Sequence, residues 1–145
     1  MNLELGSRRL AAAWAALMLM AGSHRPLSVA EIAAALGCHR RYLESDLQQL
    51  KRAGLIEGRR GKGGGYCLAK GAARISLWDV YRVLFCAEPQ RGNESSALLK
   101  AVQAQLGRLA EEVIARMQAW TLADALADAR KKGAPVSLPP EDFCI

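Results

Sequence analysis

Between Ser28 and Leu68 the chain reads SVAEIAAALGCHRRYLESDLQQLKRAGLIEGRRGKGGGYCL. Two short amphipathic runs flank a glycine-containing turn, and a basic, glycine-rich segment follows at once. The first run opens with the pair Ser28-x-x-Glu31, in which side chains and backbone N–H groups at a helix start satisfy each other. Val29, Ile32, Ala33 and Leu36 then share one face at helical spacing. Gly37 stops the run where a positive φ suits a helix end, and Cys38 and His39 complete the turn. The second run spans about Arg40 to Ala53, has Leu43, Leu47 and Leu50 as its buried stripe, and ends at Gly54. Leu55–Arg59 and Tyr66–Leu68 read as short strands. This order predicts a mainly α fold with a small β-hairpin, a winged helix-turn-helix, which lays one helix into a DNA major groove.

The outer face of the second run carries Arg40, Arg41, Glu44, Ser45, Gln48 and Lys51, with Tyr42 near its exposed start. Arg and Gln form paired hydrogen bonds with guanine and adenine edges, and Ser and Tyr suit phosphates or bases. Any exposed helix also carries such residues, so the charge balance matters. From Arg40 to Lys62 there are seven basic and three acidic residues, leaving +4 of the chain's net +6. The prospective wing holds Arg59, Arg60, Lys62, Gly63 and Gly64. Its glycines allow close backbone approach to phosphates, and their N–H groups can donate to them. A nucleotide-binding P-loop does not fit. Gly58 to Lys62 lacks the spacing, no Ser or Thr follows the lysine, and a strand comes next.

Upstream, Ser7-Arg8-Arg9 precedes the apolar run LAAAWAALMLMAG, which imitates a signal peptide. Glu4 sits in what would be the positive region, and the run is far short of the ~20 residues that span a bilayer. We read it as a buried helix from Ser7 to Met20, with Leu10, Trp14, Leu17 and Met18 facing the core. No membrane association is expected. The four cysteines, Cys38, Cys67, Cys86 and Cys144, form no Cys-x-x-Cys and no zinc-type spacing with histidine. A chain that is 51% hydrophobic needs no disulfide framework, so reduced thiols and a cytoplasmic location are the expectation. Cys67 is assigned to the core. Cys38, ahead of Arg40 and Arg41 at a helix start, is a candidate redox-sensitive thiol, with a simple turn-filling role as the alternative.

The remainder is helical. Ser76 with Asp79 caps a helix holding Leu77 to Leu84. Residues 88–94 read as a loop. A long helix from about Ser96 to Trp120 carries the stripe Leu99, Val102, Leu106, Leu109, Val113, Met117 and Trp120, mostly in alternating steps of three and four. That spacing suits pairing with another helix more than lying on a broad core, with packing within the same chain as the alternative. Thr121 and Asp124 start a last short helix. The expected organisation is 1–74 winged helix-turn-helix, 75–132 helical dimerisation region, and 133–145 a flexible tail.

Five segments together resemble a known family: Ser28-x-x-Glu31-Ile32-Ala33, Tyr42-Leu43-Glu44, Leu50-x-x-Ala53-Gly54-Leu55-Ile56, Arg60-Gly61-x-Gly63-Gly64-Gly65-Tyr66-x-Leu68 and Ile75-Ser76-Leu77-x-Asp79-Val80. The chain is similar, from about Leu3 to Leu126, to the IscR/NsrR/CymR-type bacterial regulators, often called the Rrf-two family. The resemblance implies a homodimeric transcription factor on double-stranded DNA, with the long helices crossing between subunits. By motif position, Arg41, Tyr42 and Ser45 would face bases or phosphates and Arg60 would enter the minor groove. Iron–sulfur members carry three closely spaced cysteines before the long helix. Here AEPQRGNESSALLK follows Cys86, with no cysteine. The expectation is a regulator without bound cluster, metal or other cofactor that acts as a repressor. The alternatives are a regulator that answers to a metabolic enzyme partner, or a thiol-based redox sensor. No carboxylate pair or Cys–His dyad points to an enzyme.

Overall fold

The structure, a computed structural model, describes residues 4–86 and 96–138. After a short 3-10 turn at Glu4–Gly6, α1 spans Arg8–Gly22, α2 Val29–Leu36 and α3 Arg40–Arg52. Strands β1 (Ile56–Arg59) and β2 (Gly65–Leu68) form an antiparallel hairpin, and a second 3-10 turn covers Ala72–Arg74. Helices α4 (Leu77–Phe85), α5 (Ala97–Ala119) and α6 (Leu122–Lys131) complete the described chain. No helix among these residues is long and apolar enough to cross a membrane.

The signals at the helix ends act as their chemistry requires. Ser7, Ser28, Ser76, Ser96 and Thr121 each accept from the backbone N–H three residues on. Glu31, Asp79 and Asp124 return the bond to the cap backbone, so two orphan N–H groups are satisfied at each start. Gly37 ends α2 at φ 63°, a conformation glycine enters without a side-chain penalty.

The apolar run of α1 is a core helix. Leu10, Ala13, Ala16, Leu17, Leu19 and Met20 are buried, against Ile32 from α2, Leu43, Leu47 and Leu50 from α3, and Leu55 and Ile56 beside the hairpin. The C-terminal helices close this core. Ile75 and Leu122 are fully buried, and a two-residue bridge joins the starts of α4 and α6. There Leu77 N–H donates to Trp120 O and Leu122 N–H to Ile75 O, both at 2.8 Å.

Two expectations are corrected. Met117, placed in the dimerisation stripe, is buried in the protomer's own core, because the last turns of α5 lie against α4. In the segment expected to be a flexible tail, two side chains of the described part reach the core. Val136 and Leu138 rest on the core, and the Val136 carbonyl comes so near Gly22 that a Cβ there would stand 2.6 Å away. Cys67 is half-buried rather than in the core, its Sγ 3.5 Å from Oε1 of the exposed Glu57, its partner across the hairpin. The expected loop at 88–94, residues 139–140 and Cys144 lie outside the described residues.

Candidate nucleic-acid interface

The recognition face is assembled by the stripe of α3. Leu43, Leu47 and Leu50 are buried, so the opposite side must face water. Arg40, Arg41, Tyr42, Glu44, Ser45 and Gln48 are all exposed there. Tyr42, at 74% exposure, is an aromatic ring with no burial to justify it by core packing. Its ring meets His39 edge-on at 6.2 Å between centroids, across the helix-turn-helix turn. Cys38 is half-buried beside it. An open groove of about 710 Å³ runs along this corner and is lined by Arg8, Cys38, Arg41, Tyr42 and Ser45.

The wing is fastened to the start of the helix-turn-helix by its own backbone. Leu27 and Tyr66 exchange two hydrogen bonds, Tyr66 N–H to Leu27 O at 2.7 Å and Leu27 N–H to Tyr66 O at 2.9 Å. That contact requires glycine next door: a Cβ on Gly65 would stand 2.3 Å from Leu27 O. The C-terminal end of α3 also meets the hairpin, with Lys51 Nζ only 3.3 Å from where Gly58 would carry a Cβ. Helix and wing are thus held side by side.

Wing residues divide by what they touch. Arg60 and Lys62 are exposed and form no ion pair among the described residues. Arg59 is also exposed but stands 3.6 Å from Glu57, which dilutes its charge. Gly63 is exposed at φ 79°. Gly64 differs from expectation, because its N–H donates to Gly61 O at 2.9 Å and a Cβ there would meet Arg59 O at 2.3 Å. Its amide is engaged in forming the turn.

Sequence reasoning missed a pair that holds α3 in place. Arg9 on α1 donates to Asp46 on α3 through Nε at 3.0 Å and Nη2 at 2.7 Å. Asp46 is the buried charged residue among those described. An Arg and an Asp thirty-seven positions apart carry no local signal. The position of Asp46 beside the Leu43, Leu47 and Leu50 stripe was the available hint.

The long helix has two unlike halves. Residues 96–109 are exposed throughout, Leu98, Leu99, Val102, Leu106 and Leu109 among them. Val113 is half-buried and Trp120 is 41% exposed.

A two-helix unit with one basic exposed helix and a fastened basic wing defines a winged helix-turn-helix DNA-binding protein. The chain belongs to the Rrf2 family, described as iron-dependent transcriptional regulators, whose model matches residues 6–128. It is 32% identical over 131 residues to Protein rrf2 of Nitratidesulfovibrio vulgaris, covering 86% of this chain and 83% of that protein. IscR of T. potens has a similar structure, with TM-score 0.69 and 30% identity over 93% of this chain and 94% of that one. CymR, the global cysteine regulator of B. subtilis, gives 0.68 and 26% over 84% and 95%. The protein is therefore a DNA-binding transcriptional regulator, not an enzyme.

The family description raises iron, so the donors must be tested. Among the described residues no three His, Cys, Asp or Glu side chains converge as a ligand set. Cys38 sits in the helix-turn-helix, Cys67 on the hairpin and Cys86 at the end of α4. Iron–sulfur clusters are held chiefly by several thiolates, and residues 87–95 contain none. These donors do not fit an iron centre of that kind.

Proposed function

We propose that the protein is a homodimeric, sequence-specific repressor that works in the cytoplasm without a bound cluster. The observation that carries the DNA contact is the exposed face of α3 beside unpaired wing cations. Arg40, Arg41, Tyr42, Ser45 and Gln48 read or flank the major groove, and Arg60 and Lys62 reach the adjacent backbone or minor groove. Arg59 and Gly63 contribute at the wing's edge. A dimer seated on successive major grooves occludes the promoter beneath it, which is repression.

The dimer is supported by α5. Among the described residues, the apolar side chains of its first half are largely exposed, and a bare helix of that length is marginal in water. An apolar cleft of about 300 Å³ between α4 and α5 runs up to Leu106 and Leu109. A second copy of α5 covers Leu99, Val102, Leu106 and Leu109, with Val113 and Trp120 at the border. Two recognition helices then lie about 34–36 Å apart, one DNA turn.

The test uses a duplex selected from a random library by the wild-type protein. Arg60→Ala should weaken binding and lower the salt dependence by about one unit per lost phosphate contact. If Arg60 sits in a narrow minor groove, discrimination at flanking A·T positions falls too. Equal affinities for wild type and Arg60→Ala across the salt titration refute the wing's role.

A second layer concerns Cys38, favoured by its place on the groove beside Arg41 and Tyr42. Peroxide converts a thiolate to a sulfenate: an S–O bond forms, the O–O bond breaks, and water leaves. Added bulk and polarity there oppose the approach of DNA, making the regulator thiol-responsive.

A further inference from the structure

We infer that Arg9 is a positioning residue for DNA reading, joining the recognition helix to the end of α4 through one guanidinium. The inference rests on the reading of α3 as the recognition helix. Arg9 holds three helices at once. It belongs to α1, its Nε and Nη2 donate to Asp46 Oδ1 on α3, and its Nη1 donates to Leu84 O at 3.0 Å on α4. Its guanidinium carbon also lies 5.1 Å from the centre of the Phe85 ring.

Each partner has a physical reason to hold it. Leu84 O is in the last turn of α4, where carbonyls lack partners within the helix and favour a cation. Phe85 offers the face of an aromatic ring to the same charge. Asp46 is 8% exposed, and a carboxylate that deep must be paired and hydrogen-bonded. Leu43, Leu47 and Leu50 set how deeply α3 sits, but apolar contact is not directional. Charge-assisted hydrogen bonds are directional, and Asp46 adjoins Ser45 and lies one turn beyond Tyr42. The bridge therefore fixes the rotation of α3 about its axis, and with it the aim of Arg41, Ser45 and Gln48. It also ties that aim to the last turn of α4, one residue before Cys86. A shift of this turn reaches the DNA face through this side chain, in addition to the direct packing of α3 on α4.

The experiment uses the full chain, the library-selected duplex and a scrambled duplex of equal length, with thermal melting recorded for every variant. Arg9→Met should cut the preference for the selected duplex about tenfold, a loss of about 1.4 kcal/mol in discrimination. Affinity for the scrambled duplex and the salt dependence should stay at wild type, because this guanidinium is already engaged by Asp46, Leu84 O and the Phe85 ring. Arg9→Lys, a point charge without the planar fork, should recover part of the preference. Phe85→Ala, on α4, should lose part of it. Arg9→Met alone strands the Asp46 charge and lowers the melting temperature. Arg9→Met with Asp46→Leu removes both charges, which often leaves stability unchanged, so melting should return while the preference does not. Recovery of full preference in the double variant overturns the inference, as does an equal loss on both duplexes with a reduced salt dependence. Failure of the recognition-helix reading looks different: Arg41→Ala would then leave the selected duplex bound as before.

Discussion

Replacing Gly65 by alanine tests how the wing is held. The residue sits at φ 151°, and an added Cβ would stand 2.3 Å from Leu27 O and 2.8 Å from Ser28 N. Neither atom is the end of a flexible side chain, so relief requires backbone movement. Strained backbone of this type costs about 1–3 kcal/mol. The cheaper escape is for the wing to peel away from Leu27. That breaks the two Leu27–Tyr66 hydrogen bonds, about 1 kcal/mol each, and begins to uncover Leu27, which is 1% exposed. Both routes converge on a destabilisation of about 2–4 kcal/mol. For a chain of this size that lowers the melting temperature by roughly 5–12 °C at fixed protein concentration. Gly37→Ala is the control. Gly37 also has a positive φ, 63°, but its Cβ would meet nothing within 4 Å, so only the left-handed penalty of about 1–2 kcal/mol applies. Urea unfolding monitored by circular dichroism gives both values, and DNA binding should fall more in Gly65→Ala because the wing moves. Should Gly65→Ala prove no less stable than Gly37→Ala, the close approach to Leu27 is not what requires glycine.

The other expectations can be checked independently. Leu106→Lys with Leu109→Lys alters two side chains that are each 59% exposed in the protomer, so helicity should persist while sedimentation shows a monomer and selected-duplex binding is lost; a persistent dimer would move the seam elsewhere. Glu31 is held below its ordinary carboxylate value first by the Arg25 hydrogen bond and then, against desolvation, by Ser28. Its stabilisation is complete above the unfolded pKa near 4.5 and fades as pH falls through the lower folded value. Because the Arg25–Glu31 pair is partly exposed, Glu31→Gln should cost only about 0.5 kcal/mol at neutral pH, and a deficit that does not shrink on acidification contradicts the pair. Mild peroxide should weaken DNA binding of the wild type reversibly with dithiothreitol, and Cys38→Ser should resist; equal sensitivity in Cys38→Ser, measured beside Cys144→Ser, makes Cys38 a turn residue.

What the sequence determined by itself was local. The Ser28–Glu31, Ser76–Asp79 and Thr121–Asp124 pairs act across three residues, and Gly37 acts at one. Such signals need no distant partner, and the helices start where they predict. The Leu43, Leu47 and Leu50 stripe likewise dictated which side of α3 meets water. The tertiary structure decided everything that depended on what lies opposite. It placed Arg9 against Asp46 and Leu84, and the carbonyl of Leu27 against Gly65. It also drew Met117 inward while leaving Leu106 and Leu109 bare on the same helical stripe. A repeat of three and four specifies a face but not the surface that covers it. Covering is settled by long-range packing, where contacts between residues far apart in the chain compete for the same apolar area.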